Sequence, residues 1–272
     1  MPLYMIPAVL LLSGLSNAFR IVKVDKSVAV SADSSNSSGP DISIVNGRDA
    51  RQGDFPWQVQ LSDRRGHFCG GTLIHARWVL TAAHCLEGES TSSFNSTAGQ
   101  HDVRRQSGNE QTSRIRRIHN HPRYNSRTTD NDIALLQLDS AMRMTNFVGL
   151  ARLPRGDISP GTTCKISGWG ATSEDGRGAN ILQEGDVRVM SNRDCQNTGY
   201  SSSQITAGML CAQGTRNGRI VDACQGDSGG PLTCGSTVHG ATSWGRGCAR
   251  RDYPGVWARV AHYRSWIDGI MR

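Results

Sequence analysis

The sequence predicts an all-β fold built from antiparallel strands. Short runs of β-prone residues recur along the chain, clusters of Gly, Asn, Asp or Pro separate them, and no helical pattern of about 10 to 15 residues lies between them. The 272 residues include 31 glycines and 9 prolines, which is typical of many turns rather than of long helices. From the residues alone, the pattern fits either antiparallel β-barrels or a β-sandwich.

The first predicted strand, Trp57 to Leu61, alternates apolar and polar residues, as a half-buried strand does. Five further runs are rich in aliphatic, aromatic and β-branched residues: Thr72 to Ile74, Trp78 to Ala82, Ile133 to Leu138, Val187 to Met190 and Val256 to Val260. Near the end of the chain, apolar residues take the spacing of one helix face, at Tyr263, Trp266, Ile267 and Ile270. A C-terminal amphipathic helix is therefore predicted.

Composition and charge exclude several classes of protein. Apolar residues make up 37% of the chain and charged residues 19%, a polar balance that is still far from that of a disordered protein. A coiled coil, a collagen and a polytopic membrane protein are also excluded. The net charge is +7, and all of it falls on residues 44–272, because the acidic and basic residues before them cancel.

The N-terminal region is predicted to be removed in two steps. Residues 1–18 contain an apolar stretch from Met5 to Leu15, followed by Ser16-Asn17-Ala18, which fits a signal-peptide cleavage site. Residues 19–43 include a Ser-rich segment, 31–40, that has almost nothing to bury and is predicted to be a linker. No other stretch approaches the roughly 18 apolar residues of a membrane span, so we expect a secreted protein without a membrane anchor.

Export changes how the eight cysteines are interpreted. None forms a C-x-x-C pair, so neither a zinc ribbon nor a thioredoxin-type motif is indicated. An even number of cysteines outside the cytosol predicts four disulfides, whose pairing the spacing alone leaves open. Two sequons, at Asn36 and Asn95, are candidate glycosylation sites, although the Ser-rich stretches around them are equally typical of polar loops.

Three segments carry residue types that catalysis uses. His84 follows an apolar strand, Asp132 precedes another, and Ser228 lies in the glycine-rich turn 226–230. Each alone has an ordinary interpretation, as a surface histidine, a turn acid or a residue of a tight bend. Together they supply a nucleophile, a base that titrates near neutral pH and an acid that can orient the base.

The serine segment also satisfies G-x-S-x-G, the nucleophile elbow of α/β-hydrolases. In that class the chain order is serine, acid, histidine. Only 44 residues follow Ser228, and they contain His239 and His262 but leave no room for an acid on a separate βα unit before them. The α/β-hydrolase interpretation is therefore rejected.

In the order histidine, acid, serine, the three segments resemble those of the chymotrypsin/trypsin family of serine endopeptidases, and the resemblance covers essentially all of residues 44–272. It implies two antiparallel six-stranded β-barrels with a C-terminal helix. It also implies that His84, Asp132 and Ser228 are catalytic and that the backbone N–H groups of Gly226 and Ser228 form the oxyanion hole. The implied disulfides use all eight cysteines: Cys69–Cys85, Cys164–Cys234, Cys195–Cys211 and Cys224–Cys248. His67 matches a structural histidine of the family.

The resemblance places Asp222, six residues before Ser228, at the base of the specificity pocket of trypsin-like members. The other implied substrate-binding residues are Ser243, Trp244 and the two wall glycines, Gly245 and Gly255. An unpaired carboxylate in a narrow pocket is costly, and a substrate Arg or Lys relieves that cost. Ala223 lacks the hydroxyl that many trypsins offer to a lysine ammonium, so Arg is predicted to be preferred over Lys. Chymotrypsin-like or elastase-like specificity is the alternative.

The resemblance also implies a zymogen, in which cleavage before Ile44 frees an amine that pairs with Asp227 and orders the oxyanion hole and the pocket. The residue before the cut is Ser43 rather than Arg or Lys, so we expect another protease to be the activator. The other expected partners are polypeptide substrates and protein inhibitors of proteases. We expect a monomer with no cofactor and no nucleic-acid partner.

The loop from Gly99 to Gln111 lacks acids that calcium-binding members of the family have, and it begins a run of basic residues. The loop keeps Glu110 but has Gln100 and Ser107 where calcium-binding trypsins have acids, so no metal is predicted. It also begins a basic run, which is either a polyanion site for a ligand such as heparin or an ordinary solvated face: Arg104, Arg105, Arg114, Arg116 and Arg117.

The rival function from another class is a catalytically silent family member that binds polyanions. Such silent members typically lack at least one catalytic residue. The intact His84, Asp132 and Ser228, with Gly226 and Asp227 beside the serine, argue against it.

Overall fold

The computed structural model describes residues 44–272; the predicted signal peptide, the predicted propeptide and the Asn36 sequon lie outside these residues. The described residues form fourteen strands, which we number along the chain: β1 Arg48–Asp49, β2 Gln58–Asp63, β3 Gly66–His75, β4 Trp78–Thr81, β5 Asn95–Ala98, β6 Gln111–Asn120, β7 Ala134–Leu138, β8 Thr163–Gly168, β9 Gln183–Met190, β10 Met209–Arg216, β11 Arg219–Val221, β12 Pro231–Cys234, β13 Thr237–Trp244 and β14 Gly255–Arg259. Two short helices are α1 Asn192–Gln196 and α2 Arg264–Met271, and a single 3-10 turn covers His84–Leu86.

Six strands close the first barrel in the order β2-β3-β4-β7-β6-β5, and all the pairings are antiparallel. Its interior is filled by aliphatic residues that alternate along these strands, including Val59, Leu61, Leu73, Leu136 and Leu138. Alternate residues of a strand point to opposite faces, so every second side chain of each strand enters the barrel.

The second barrel has the order β9-β8-β12-β13-β14-β10 and is closed by pairing of β10 with β9. The short strands β1 and β11 extend this sheet beyond the barrel, on β9 and β10 respectively. Its core includes Ile166, Val189, Leu210 and Trp257, and Ile44 packs into the same cluster. Two six-stranded antiparallel barrels are the predicted fold, which is therefore confirmed.

The two barrels and the terminal helix share one apolar cluster. Leu80 and Leu135 reach it from the first barrel, Val238 and Ala258 from the second, and Ile267 from α2. The predicted C-terminal helix is thus present, and it begins one residue after Tyr263, whose side chain is also buried in the cluster. Burial of this cluster fixes the orientation of the barrels, because each aliphatic side chain withdrawn from water contributes roughly 1.5–3 kcal/mol.

The prediction that β2 is half-buried is wrong, because both faces of the strand are buried. Its polar residues are also buried, with Gln58 only 2% and Gln60 only 7% exposed. Gln58 Oε1 accepts a hydrogen bond of 2.6 Å from Ser167 Oγ on β8, so the outer face of this strand packs against the second barrel. Another correction concerns Asn95, which is exposed as predicted but begins β5 rather than lying in a loop.

The structure joins the eight cysteines as Cys69–Cys85, Cys164–Cys234, Cys195–Cys211 and Cys224–Cys248, the pairs that the family resemblance implies. The second pair closes the longest loop, 70 residues, and in the chain-entropy model a cross-link of that length stabilises by about 4 kcal/mol. Within residues 44–272, none of the helices has the length and apolar character needed to cross a membrane.

Candidate active site

His84 and Asp132 are brought together by the register of the first barrel. Strands β4 and β7 are antiparallel, with Thr81 opposite Ala134. His84 follows Thr81 by three residues and Asp132 precedes Ala134 by two, so both lie at the same end of this strand pair. His84 Nδ1 is 2.7 Å from Asp132 Oδ2, and the His84 backbone N–H donates to Asp132 Oδ1 at 2.8 Å.

A third donor reaches the same carboxylate. Ser243 Oγ donates to Asp132 Oδ2 at 2.5 Å, across 111 residues of sequence. Asp132 is only 2% exposed, so an ionised carboxylate there accepts all three hydrogen bonds away from solvent. Because that carboxylate can only accept, Nδ1 of His84 carries the hydrogen, which leaves a lone pair on Nε2 of the neutral ring. Nε2 is therefore the atom able to take a proton.

The turn that carries Ser228 is held against the end of β4. The backbone N–H of Gly70 donates to the Ser228 carbonyl at 2.7 Å, and Gly229 N–H donates to the Thr242 carbonyl at 2.7 Å. Gly229 has a φ of 74°, and a Cβ there would lie 2.1 Å from Thr81 Oγ1, so a side chain cannot be accommodated. This close approach places Ser228 next to the strand end that leads to His84.

The backbone N–H groups of Gly226 and Ser228 are oriented by the hydrogen bonds that the preceding carbonyls accept. The Gln225 carbonyl accepts from Ala171 N–H at 2.6 Å, and the Asp227 carbonyl accepts from Gly230 N–H at 2.9 Å. In a trans peptide the N–H points opposite to the carbonyl, so the N–H groups of Gly226 and Ser228 both point away from these partners. Neither N–H group donates a hydrogen bond within residues 44–272.

His67 forms a hydrogen bond with the peptide unit between Gly226 and Asp227. Its Nε2 lies 2.9 Å from the Gly226 carbonyl, and burial lowers the pKa of His67 to about 4. The ring is therefore neutral, with Nε2–H donating to this carbonyl. His67 has no place among the reacting atoms, but it orients the peptide that follows Gly226, a role that the sequence did not reveal.

Asp227 is buried beneath this turn, and in this uncleaved chain it faces neutral donors. Its Oδ1 accepts from Gly170 N–H at 2.8 Å and its Oδ2 from Cys224 N–H at 3.0 Å. Burial raises the pKa of Asp227 to about 7, because within residues 44–272 no cation pairs with the carboxylate. The side chain of Ile44, the predicted new N-terminus, is fully buried in the second barrel.

A pocket opens beside Ser228 and ends at Asp222. It encloses about 490 Å³, including space open to solvent, and its lining includes Ser243, Trp244 and Gly245. Asp222 Oδ2 accepts from Ala249 N–H at 2.9 Å, whereas Oδ1 is buried without a partner among residues 44–272. Burial raises the pKa of Asp222 to about 7.

The wall glycines of this pocket contribute in different ways. A Cβ on Gly255 would lie 2.6 Å from Asp222 Oδ1 and would fill the base of the pocket. A Cβ on Gly245 would make only an ordinary contact, at 3.4 Å, with the Gly247 carbonyl. Gly255 is therefore required by the protein itself, whereas Gly245 leaves space that a ligand can use.

The loop before β6 does not offer the oxygen ligands that calcium needs. Glu110 Oε1 accepts from Ser107 N–H at 2.8 Å and from Ser107 Oγ at 2.9 Å, and Oε2 accepts from Gly108 N–H at 2.9 Å. Partial burial opposes ionisation, but these hydrogen bonds outweigh it and lower the pKa of Glu110. The loop thus uses both of its acids internally, since Asp102 Oδ1 also accepts from Arg104 N–H, and its residues do not fit the calcium site of the family that the motifs resemble.

The sulfur atoms near His84 also fail to make a metal site. Cys85 Sγ lies 3.9 Å from His84 Nε2, and Cys69 belongs to the same group. Both sulfurs are joined in a disulfide, so neither is a thiolate ligand.

The family model described as Trypsin matches residues 44–267. The chain belongs to the trypsin family. It is similar to Trypsin I-P1 of Gallus gallus, 39% identical over 232 residues that cover 85% of this chain and 90% of the relative. It is also similar to Trypsin of Sus scrofa, 39% identical with 84% and 95% coverage, and to Kallikrein-14 of Homo sapiens, 40% identical with 84% coverage of both chains.

Trypsin-family membership makes this chain a trypsin-like serine protease by sequence and fold, as the motifs predict. It carries the serine, histidine and aspartate segments and the four disulfides described above. The structure adds contacts that no motif contains: Ser243 on Asp132, His67 on Gly226, and Ala249 on Asp222.

Proposed function

We propose that this trypsin-family protein is a secreted endopeptidase that hydrolyses peptide bonds after Arg and, less rapidly, after Lys. The observation that carries the specificity is the buried Asp222 carboxylate, one oxygen of which lacks a partner in the described part of the chain. A guanidinium offers several N–H donors in a planar fork, so it can satisfy that oxygen and supply the missing positive charge. Ala223 offers no hydroxyl to an ammonium, which favours Arg over Lys.

The chemistry follows from the protonation of His84. Ser228 Oγ attacks the substrate carbonyl carbon while its proton moves to His84 Nε2, and the N–H groups of Gly226 and Ser228 stabilise the oxyanion. Asp132 stabilises the resulting imidazolium, which then protonates the leaving amine as the C–N bond breaks. Water hydrolyses the acyl-enzyme in the same way: His84 takes its proton and returns it to Ser228 Oγ, and the free acid leaves.

The proposal includes activation by cleavage between Ser43 and Ile44. The buried Asp227 carboxylate, with its raised pKa and two neutral donors, supports it, since a free Ile44 ammonium would provide the cation that this carboxylate lacks. Ser43 is a poor site for an Arg-specific enzyme, so a second protease of different specificity is the proposed activator. Secretion rests on the predicted signal peptide.

The test uses a variant that can be activated at will. Ser43→Arg creates a cleavage site for immobilised trypsin, which is then removed. We expect an active protein whose N-terminal sequence is Ile-Val-Asn-Gly and which cleaves matched peptides in the order Arg, Lys, Phe. The doubly substituted Ser43→Arg, Ser228→Ala is the control, expected to be cleaved at the same bond and to remain inactive.

Two results would contradict the proposal. Cleavage after Phe or Leu in preference to Arg would show chymotrypsin-like or elastase-like specificity. Failure of the correctly cleaved protein to react with a fluorophosphonate probe would identify a catalytically silent binding protein instead, because that probe labels only an activated serine.

A further inference from the structure

A basic groove lies at the junction of three chain segments, away from the specificity pocket. Its lining comes from residues 47–49, 102, 104–105, 180–181 and 183, together with Arg216, and it encloses about 1380 Å³, including space open to solvent.

The walls of the groove are fixed by backbone hydrogen bonds. Val103 N–H donates to the Asn180 carbonyl at 2.8 Å, and Leu182 N–H donates to the His101 carbonyl at 2.8 Å. On the other side, Ala50 N–H donates to the Leu182 carbonyl at 2.9 Å. Residues 180–182 are thus held from both sides, so little further conformational entropy of this segment is lost when a ligand binds.

Four guanidinium groups line the groove, on Arg48, Arg104, Arg105 and Arg216. Arg48 is paired with Glu184 and Asp186, but the other three form no ion pair within residues 44–272. Arg104 and Arg105 are also exposed. The structure therefore separates them from the rest of the basic run, since Arg114, Arg116 and Arg117 lie on β6.

The two carboxylates of the groove are occupied by the protein. Asp102 Oδ1 accepts from Arg104 N–H at 2.9 Å and fixes the turn that presents the two arginines. Asp49 Oδ1 accepts from Gln183 Nε2 at 2.5 Å. Both acids therefore support the walls, and the lining keeps an excess of positive charge.

From this lining we propose that the groove binds a sulfated linear polysaccharide. Guanidinium forks pair with sulfate oxygens through two parallel N–H donors, and the remaining lining is backbone and amide groups that suit sugar hydroxyls. An acidic peptide fits less well, because protein ligands depend on apolar anchors and Ile181 is the one aliphatic side chain of the lining. The inference concerns a site separate from the proposed catalysis, so either can fail without the other.

The experiment measures binding of a heparin tetrasaccharide to the full chain by calorimetry at 50 and 150 mM NaCl. Arg104→Ala with Arg105→Ala is expected to weaken binding about tenfold or more at the lower salt and to reduce the salt dependence. The control, Arg155→Ala with Arg193→Ala, removes the same charge at two exposed arginines outside the groove and is expected to change affinity less than twofold.

Each other outcome overturns the proposal. Equal losses in the two variants would show attraction by net charge alone, and no binding by the unmodified protein at 50 mM NaCl would show that there is no site. Binding of a hexaglutamate peptide that depends on Arg104 and Arg105, without binding of the tetrasaccharide, would assign the groove to acidic proteins. Circular dichroism checks the fold of each variant, and Arg104→Gln with Arg105→Gln replaces the alanine pair if that pair unfolds.

Discussion

Asp132 receives three hydrogen bonds, and each donor constrains a different part of the site. The His84 ring and backbone fix the position of the proposed base, while Ser243 Oγ comes from the second barrel and ties the pair to the wall of the pocket beside Ser228. Ser243 is therefore both a pocket residue, as the sequence implies, and a positioning residue for the carboxylate.

Replacement of Ser243 by Ala tests this positioning role. Loss of one charge-assisted hydrogen bond, about 1.5–3 kcal/mol, is expected to lower kcat for an Arg peptide roughly 10- to 100-fold with little change in KM. Asp132→Asn is the comparison and is expected to cost about 10⁴-fold, the loss established for the equivalent change in a well-studied member of this family. An unchanged kcat in Ser243→Ala would contradict the role, provided that the melting temperature is also unchanged.

Asp222 predicts a pH-dependent affinity for cations. Its pKa is raised to about 7 by burial, so below that pH the empty pocket holds a neutral carboxyl group. A bound amidinium requires the carboxylate, so binding must release a proton below pH 7 and none well above it. We expect the Kd of benzamidine to rise by up to about tenfold per pH unit below 7.

Calorimetry in buffers of different ionisation enthalpy measures the released proton directly. In the activated protein, close to one proton per benzamidine is expected at pH 5.5 and close to none at pH 8.5. Asp222→Asn is expected to bind weakly with no proton release at either pH. Proton uptake, or an affinity independent of pH between 5.5 and 8.5, would contradict this assignment.

At the scale of elements, the loop between β5 and β6 is stabilised by hydrogen bonds to Glu110 rather than by an ion. Three hydrogen bonds from Ser107 and Gly108 converge on the Glu110 carboxylate. The pKa of Glu110 is lowered, so this contribution is present above the ordinary carboxyl pKa and is lost as the pH falls through the folded value.

Because the Glu110 carboxylate is used in these hydrogen bonds, we expect the stability of the protein not to depend on calcium. Millimolar CaCl₂ or EDTA is expected to shift the melting temperature by less than about 1 °C. Glu110→Ala is expected to lower it by roughly 2–4 °C at pH 7, because about 1 kcal/mol of hydrogen bonding is lost. A calcium-induced increase of several degrees that disappears in Glu110→Ala would show that the loop binds the ion.

Strand faces show where patterns of residues predict elements well and where they fail. Alternation identified β2, but it assigned the outer face to solvent, whereas Gln58 and Gln60 are buried and Gln58 bonds to Ser167 of the second barrel. Strand β6 was not predicted, because three charged residues interrupt its apolar run: Arg114, Arg116 and Arg117. Its pairing with β5 and β7 in a closed barrel outweighs that local preference.

For the whole molecule, proteolytic activation is expected to change the pH dependence of stability. In the uncleaved chain Asp227 has a pKa of about 7, so the folded state gains a proton relative to the unfolded state between pH 4 and 7. Its stability therefore falls as the pH rises through that interval. After cleavage before Ile44 the proposed ammonium partner removes this cost.

The prediction is tested on Ser43→Arg with Ser228→Ala, so that no self-digestion occurs. The melting temperature of the cleaved form is expected to exceed that of the uncleaved form by more at pH 7.5 than at pH 5, by several degrees. Asp227→Asn in the same background is expected to remove most of this difference. A gap that is equal at both pH values, or larger at pH 5, would contradict the pairing of Ile44 with Asp227.

The amino-acid sequence by itself determined the family, and it supplied the candidate reactive side chains and the order in which they occur. Short motifs suffice for this because three segments in this order, each ordinary when taken alone, together supply a nucleophile, a base and an acid. Local patterns also located six of the strands and the terminal helix, since periodicity reports which side of an element is buried.

Only the tertiary structure decided which surfaces meet. The bond from Ser243 to Asp132 spans 111 residues and that from Ser167 to Gln58 spans 109, and no periodicity within either segment encodes its partner. The same holds for the basic groove, whose arginines come from three separate parts of the chain. Closing two barrels against each other is what brings these groups together, because burial of the shared apolar cluster fixes the orientation of both sheets.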